Sequence, residues 1–108
     1  MRLEQNPLRP LDGAPGVEMA LLSSADSPER IRVHAAVLQP GASLPRHPAG
    51  REQVFYVVNG RGRVAGDDDV AVEITAGWAA TWAPGEQHTS WAETEMTVLI
   101  VQRAPVDV

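Results

Sequence analysis

The chain of 108 residues has no cysteine and no lysine, and all nine of its basic residues are arginine. Without thiols it forms no disulfide, zinc ribbon or iron–sulfur cluster, and it has no cysteine nucleophile. Without a lysine amine it has neither Schiff-base chemistry nor the lysine of a phosphate-binding loop. Long apolar runs are missing too: the longest, over 54–58, falls far short of the roughly 20 residues that a membrane-spanning helix needs. The first seven residues carry no apolar stretch of the kind a secretory signal requires, so a cytoplasmic protein with no membrane partner is the expectation. The net charge is −5 and the arginines are scattered, which leaves no basic stripe for a polyphosphate backbone and no expected nucleic-acid partner.

What is present describes one small globular domain spanning 1–108, with 44% apolar and 21% charged residues. A core of that size gains from pairing with a copy of itself, so a homodimer is expected. Nine prolines and nine glycines, spread along the chain, leave no gap long enough for several helices. The runs between them are rich in Val, Ile, Thr, Trp and Tyr, and several alternate with period two, so the prediction is an all-β fold. Strands are predicted over 18–22, 31–38, 54–58, 63–65, 70–74, 78–82, 89–91 and 96–101, and the stretch 23–28 reads as a loop with at most one helical turn. In the second strand Ile31, Val33, Ala35 and Val37 read as the core face, with Arg32, His34, Ala36 and Leu38 opposite. Residues 54–58 are apolar on both faces, as in a central strand. Gly66, Asp67, Asp68 and Asp69 read as a solvated hairpin tip; a Ca²⁺ site would need more oxygen ligands at a different spacing.

Three histidines, His34, His47 and His88, are the side chains here that both ligate transition metals and titrate near neutral pH. His47 lies in a segment running from Gly41 to Gly60, with five residues between Gly41 and His47, one before Ala49, three before Gln53 and six before Gly60. Sixteen residues later a second segment runs from Gly77 through five residues to Ala83, then Pro84, Gly85, two residues and His88. These two spacings, at 41–60 and 77–92, resemble the two motifs of the cupin superfamily. The resemblance implies a single-domain double-stranded β-helix, or jelly-roll barrel, with 1–16 as an N-terminal arm and an N-terminal strand pairing across a homodimer. In that family two motif histidines, a glutamate and a later histidine converge on one divalent metal inside the barrel. Here Ala49 replaces the second histidine, Gln53 the glutamate and Ala83 the motif proline. The resemblance therefore implies His47, Gln53 and His88 as ligands of Fe, Mn, Ni or Zn, with coordination positions left open.

In a strand Ala49 shares the face of His47 and leaves a hole where an imidazole would be, a place for water or substrate. Two imidazoles and an amide bring no negative charge, so a bound dication keeps its own and attracts a small anionic partner such as a carboxylate or enolate. The alternative is a metal-free pocket in which the same three groups hydrogen-bond a polar ligand. Glu52 offers a competing register through a bulge, although the spacing to Gly60 selects Gln53. His34 reads as a surface or interface residue, or as a replacement ligand if its face is reversed. Phe55 and Val57 share the face of Gln53 and, with Ala49 and Trp82, are the expected substrate pocket. Arg46 and Arg51 read as rim residues, and Glu86 as a poor general base. Three functions stay open: a metal-dependent dioxygenase, isomerase, decarboxylase or lyase; a non-catalytic small-molecule binding or sensing module; and a structural protein carrying a relic site.

Overall fold

The structure is a computed structural model that describes residues 1–23 and 31–103. Its ten strands are β1 (Arg9–Pro10), β2 (Val17–Ser23), β3 (Ile31–Leu38), β4 (Ser43–Pro48), β5 (Glu52–Asn59), β6 (Arg61–Ala65), β7 (Val72–Thr75), β8 (Ala79–Trp82), β9 (Gln87–Ala92) and β10 (Met96–Arg103). No helix occurs among the described residues. The loop expected over 23–28 lies outside them, except for Ser23, which ends β2.

The strands form a six-stranded sheet in the order β1-β2-β3-β10-β5-β8 and a four-stranded sheet in the order β4-β9-β6-β7. All pairings are antiparallel, and from β3 onward every connection except β6–β7 carries the chain from one sheet to the other. That alternation makes the structure a jelly roll and confirms the all-β expectation. β5 lies between β10 and β8, and of its apolar run Phe55 and Val57 are buried on the inner face while Tyr56 and Val58 stand exposed on the outer one. Across the large sheet Ala36 stands beside Val98, and Val98 beside Val57; Leu38 stands beside Met96. These five side chains and Phe55 are sealed from solvent between the layers.

This register corrects the expected core face of β3. The buried residues are Ala36 and Leu38, whereas Ile31 is exposed and Val33, Ala35 and Val37 are half-buried on the outer side. Both faces of β3 carry apolar residues, and Arg32 and His34 made the buried face the more polar of the two, so composition pointed to the other; the partner strands decide, because a strand's parity is fixed by the residues it pairs with. Within the chain β2 pairs with β3, from Val17 opposite Leu38 onward, and with β1 on its other side.

Two close approaches set the geometry of the barrel. A Cβ at Gly62 would lie 2.0 Å from the carbonyl oxygen of Trp91, so β6 packs against β9 only with glycine there. At Gly60 φ is +88°, and a Cβ would lie 2.1 Å from the Glu95 oxygen in the turn before β10. Gly77 has a similar φ of +90° but open space around it. Gly77→Ala is therefore expected to cost about 1–2 kcal/mol of backbone strain. Gly60→Ala, which must also displace backbone, is expected to cost over about 4 kcal/mol, the two being compared by urea denaturation.

Candidate metal and ligand site

The antiparallel pairing of β4 with β9 puts His47 directly opposite His88, so the histidines of the two sequence segments meet as a cross-strand pair. Their ring centroids are 4.1 Å apart at 56°. The other side of His88 stacks on Trp82, 4.6 Å away at 28°, and Trp82 in turn meets the edge of Phe55 at 5.9 Å. Four rings thus run from the sealed core to the exposed His47, crossing from the large sheet to the small one between Trp82 and His88.

The two imidazoles are differently poised. Nδ1 of His47 lies 2.6 Å from the Pro45 carbonyl oxygen, which can only accept, so Nδ1 carries the proton and Nε2 presents its lone pair. His88 is 2% exposed, and its Nε2 is buried without a hydrogen-bond partner. Burial, and then the neighbouring His47, push the His88 pKa down from 6.5 to about 4, so the ring is neutral at physiological pH. Such a nitrogen suits a ligand that supplies a metal ion or a hydrogen-bond donor.

Gln53 is 4% exposed on the inner face of β5, opposite Trp82 on β8 and Gln102 on β10. Its Oε1 accepts a 3.2 Å hydrogen bond from Gln102 Nε2. Glu52 faces outward and pairs with Arg103, whose Nε lies 2.8 Å from its Oε1. Ala49 is buried, and its backbone ties the two sequence segments together through Ala49 N to Glu86 O and Gly85 N to Ala49 O. Phe55 and Val57 are sealed beneath the site, and Trp82 forms its wall.

His34 lies on the inner face of β3, reversing its expected placement: it stands opposite Ile100, which stands opposite Phe55. Burial and the nearby Arg32 lower its pKa. It does not complete a metal cluster, because among the described residues no group of three or more His, Asp or Glu side chains converges closely enough to hold an ion.

The three aspartates of the β6–β7 turn are more than a solvated tip. Arg46 reaches across to the Gly66 and Asp67 carbonyl oxygens and to Asp69 Oδ1, all within 3.2 Å, and Asp67 Oδ1 accepts from Gln87 N at 2.7 Å. This clasp binds the hairpin tip to β4 and β9. Sequence reasoning missed Gln102, although extending the β10 alternation two residues past Ile100 would have found it. It also missed a cleft of about 690 Å³ between β6–β7 and β8, lined by Val64, Ile74, Trp78, Trp82 and Glu86 among others. No histidine lines that cleft; Trp82 is the wall shared with the histidine pair.

The chain belongs to the cupin domain family, whose pattern matches residues 35–102. Among solved structures it is similar to a predicted oxalate decarboxylase from Thermotoga maritima, with 26% identity, a TM-score of 0.79 and coverage of 93% of this chain and 92% of that one. It is also similar to an RmlC-like cupin from Shewanella frigidimarina, with 21% identity, a TM-score of 0.81 and coverage of 95% and 87%. A third is the polyketide cyclase RemF from Streptomyces resistomycificus, with 19% identity, a TM-score of 0.81 and coverage of 97% and 80%. A comparison with curated protein sequences gives no match.

The buried neutral His88 makes stability pH-dependent with a definite sign. Its folded pKa of about 4 lies below the unfolded 6.5, so as pH falls through that window the unfolded chain takes up a proton that the folded chain refuses. Stability is then highest above about pH 6.5 and falls by about 3 kcal/mol by about pH 4. Urea denaturation of chelator-treated protein should show this slope, and His88→Phe, which keeps a ring against Trp82, should flatten it.

Proposed function

We propose that this chain is a small-molecule-binding cupin whose ligand site is the His47–His88 pair with Gln53, and that the site holds a divalent transition metal. The observation that carries this reading is the His88 Nε2: a neutral, buried nitrogen with no partner, in ring contact with a second imidazole whose tautomer leaves its own Nε2 lone pair open. Imidazole nitrogens with an amide oxygen suit Fe, Mn, Ni or Zn better than Mg or Ca, which prefer all-oxygen sites. The Pro45 carbonyl that fixes the His47 tautomer is the kind of outer partner that orients metal-ligating histidines. With no carboxylate in the set, binding is weak and the ion keeps its charge. When bound, such an ion supplies Lewis-acid character toward an anionic substrate, as a carboxylate or enolate would be. The Thermotoga neighbour, a predicted oxalate decarboxylase, is in keeping with a small carboxylate ligand.

A second reading is favoured by one contact. Gln53 Oε1 already accepts from Gln102, and a non-catalytic module would use the free histidine nitrogens to bind a polar ligand without metal. Titration of tag-free protein with Mn²⁺, Fe²⁺, Ni²⁺ and Zn²⁺ separates the two. On the metal reading at least one ion raises Tm, and the rise is lost in His47→Phe and His88→Phe, reduced in Gln53→Ala and kept in Glu52→Ala. No response to any divalent ion would leave the metal-free module.

The outer face of the large sheet supports self-association. Val33, Val101 and Val54 form one cross-strand row and Ala35, Leu99 and Tyr56 the next, with Val58 exposed beyond them. A continuous apolar surface on a chain this small is suited to a second copy. Tyr56→Glu with Val58→Glu should convert a dimer to a monomer in analytical ultracentrifugation.

A further inference from the structure

The lateral cleft differs from the histidine site in every chemical respect. It opens between β7, an edge strand of the small sheet, and β8, an edge strand of the large one. Its walls are the indoles of Trp78 and Trp82 and the side chains of Val70, Val72 and Ile74. Trp78 is 68% exposed, and Val70 and Val72 are also largely bare, so apolar surface is held open to solvent at the mouth. Every charged residue in the lining is acidic: Asp67, Asp68, Glu73 and Glu86. Among the described residues none of these four forms a salt bridge; the nearby Arg46 spends its charge on Asp69, outside the lining.

The carboxylates are also positioned in advance. Asp67 Oδ1 accepts from Gln87 N, Asp68 Oδ1 from Val70 N and Glu86 Oε1 from Ala83 N, which fixes each group and leaves its second oxygen available. Glu86 Oε2 lies 2.5 Å from where a Cβ on residue 66 would be, and Cδ1 of Trp82 lies 3.8 Å from the same point. The pyrrole edge of Trp82 and the Glu86 carboxylate therefore flank one spot on the cleft wall. Trp82 is 4% exposed, and its indole N–H makes no hydrogen bond among the described residues, so it is an unused donor at that wall.

We propose that this cleft binds a small organic cation, an amine or guanidine on a short apolar chain that also carries an oxygen acceptor. The cationic end donates N–H bonds to the free carboxylate oxygens, the chain lies against Trp78, Val70 and Val72, and the oxygen meets the Trp82 N–H. A cation over an indole face gains a further attraction from the ring quadrupole. An anion is repelled by four unneutralised carboxylates, and a neutral ligand leaves their charge unanswered. This site stands independently of the histidine pair.

The probes are arginine amide and agmatine, with n-butanol and n-butyrate as the neutral and anionic controls, followed by tryptophan fluorescence and amide NMR shifts. Saturable binding of arginine amide is expected, tighter than that of agmatine, with shifts centred on Val72, Trp78 and Glu73. Glu73→Gln and Trp78→Ala replace exposed side chains that have no polar side-chain partner among the described residues, and each should weaken binding at least fivefold while far-UV circular dichroism stays unchanged. His47→Phe should leave it intact. The proposal is overturned if butanol or butyrate binds as well as arginine amide, if MgCl₂ at equal ionic strength reproduces the shifts, or if neither variant weakens binding. A capped arginine-containing peptide that binds over a hundredfold tighter, with new amide protection along β7, would overturn it in favour of strand addition at the free edges.

Discussion

The stack of Trp82 on His88 is the contact on which the site depends. Trp82 belongs to the six-stranded sheet and His88 to the four-stranded one, so the ring contact joins the two layers beside the site. On one side it rests on Phe55 and the sealed core; on the other it holds His88 against His47. Desolvation of His88 follows from this packing, and desolvation keeps the imidazole neutral with an unspent lone pair. The same indole closes off the lateral cleft. One side chain therefore separates a neutral, nitrogen-lined site from an acidic, aromatic one.

Much of this was legible in the sequence because it is written in backbone requirements. Gly41, Gly60, Gly77 and Gly85, the glycines that register the two segments, all adopt positive φ. A spacing rule built on such positions reports chain geometry directly, which is why it located the turns and brought His47 and His88 within reach of each other from 41 residues apart. Parity along β5 was legible too: once six residues separate position 53 from Gly60, alternation sends Gln53 inward with Phe55 and Val57, and Glu52 outward to Arg103.

What escaped was set by pairing between strands far apart in sequence. β3 carries apolar residues on both faces, and only its neighbours β2 and β10 decide that His34, Ala36 and Leu38 turn inward. Gln102 meets Gln53 across 49 positions, and Arg46 reaches the β6–β7 turn across 20 and 21. The acidic turn read as a solvated tip because composition describes its charge and says nothing of the guanidinium folded over it. The cleft is bounded by β7 and β8, which are separated by three residues in sequence yet lie at the edges of different sheets.

Those two edges carry a consequence for the behaviour of the protein in bulk. An unpaired strand edge is a template for another chain, and here both edges border Asp67, Asp68, Glu73 and Glu86. Mutual repulsion between these carboxylates holds the edges of neighbouring molecules apart. The isoelectric point expected from the sequence is about 5.0, so near that pH the net charge of the whole chain vanishes, and with it the general repulsion between molecules. At neutral pH the same few carboxylates thus add to the colloidal stability of the chain and guard its strand edges.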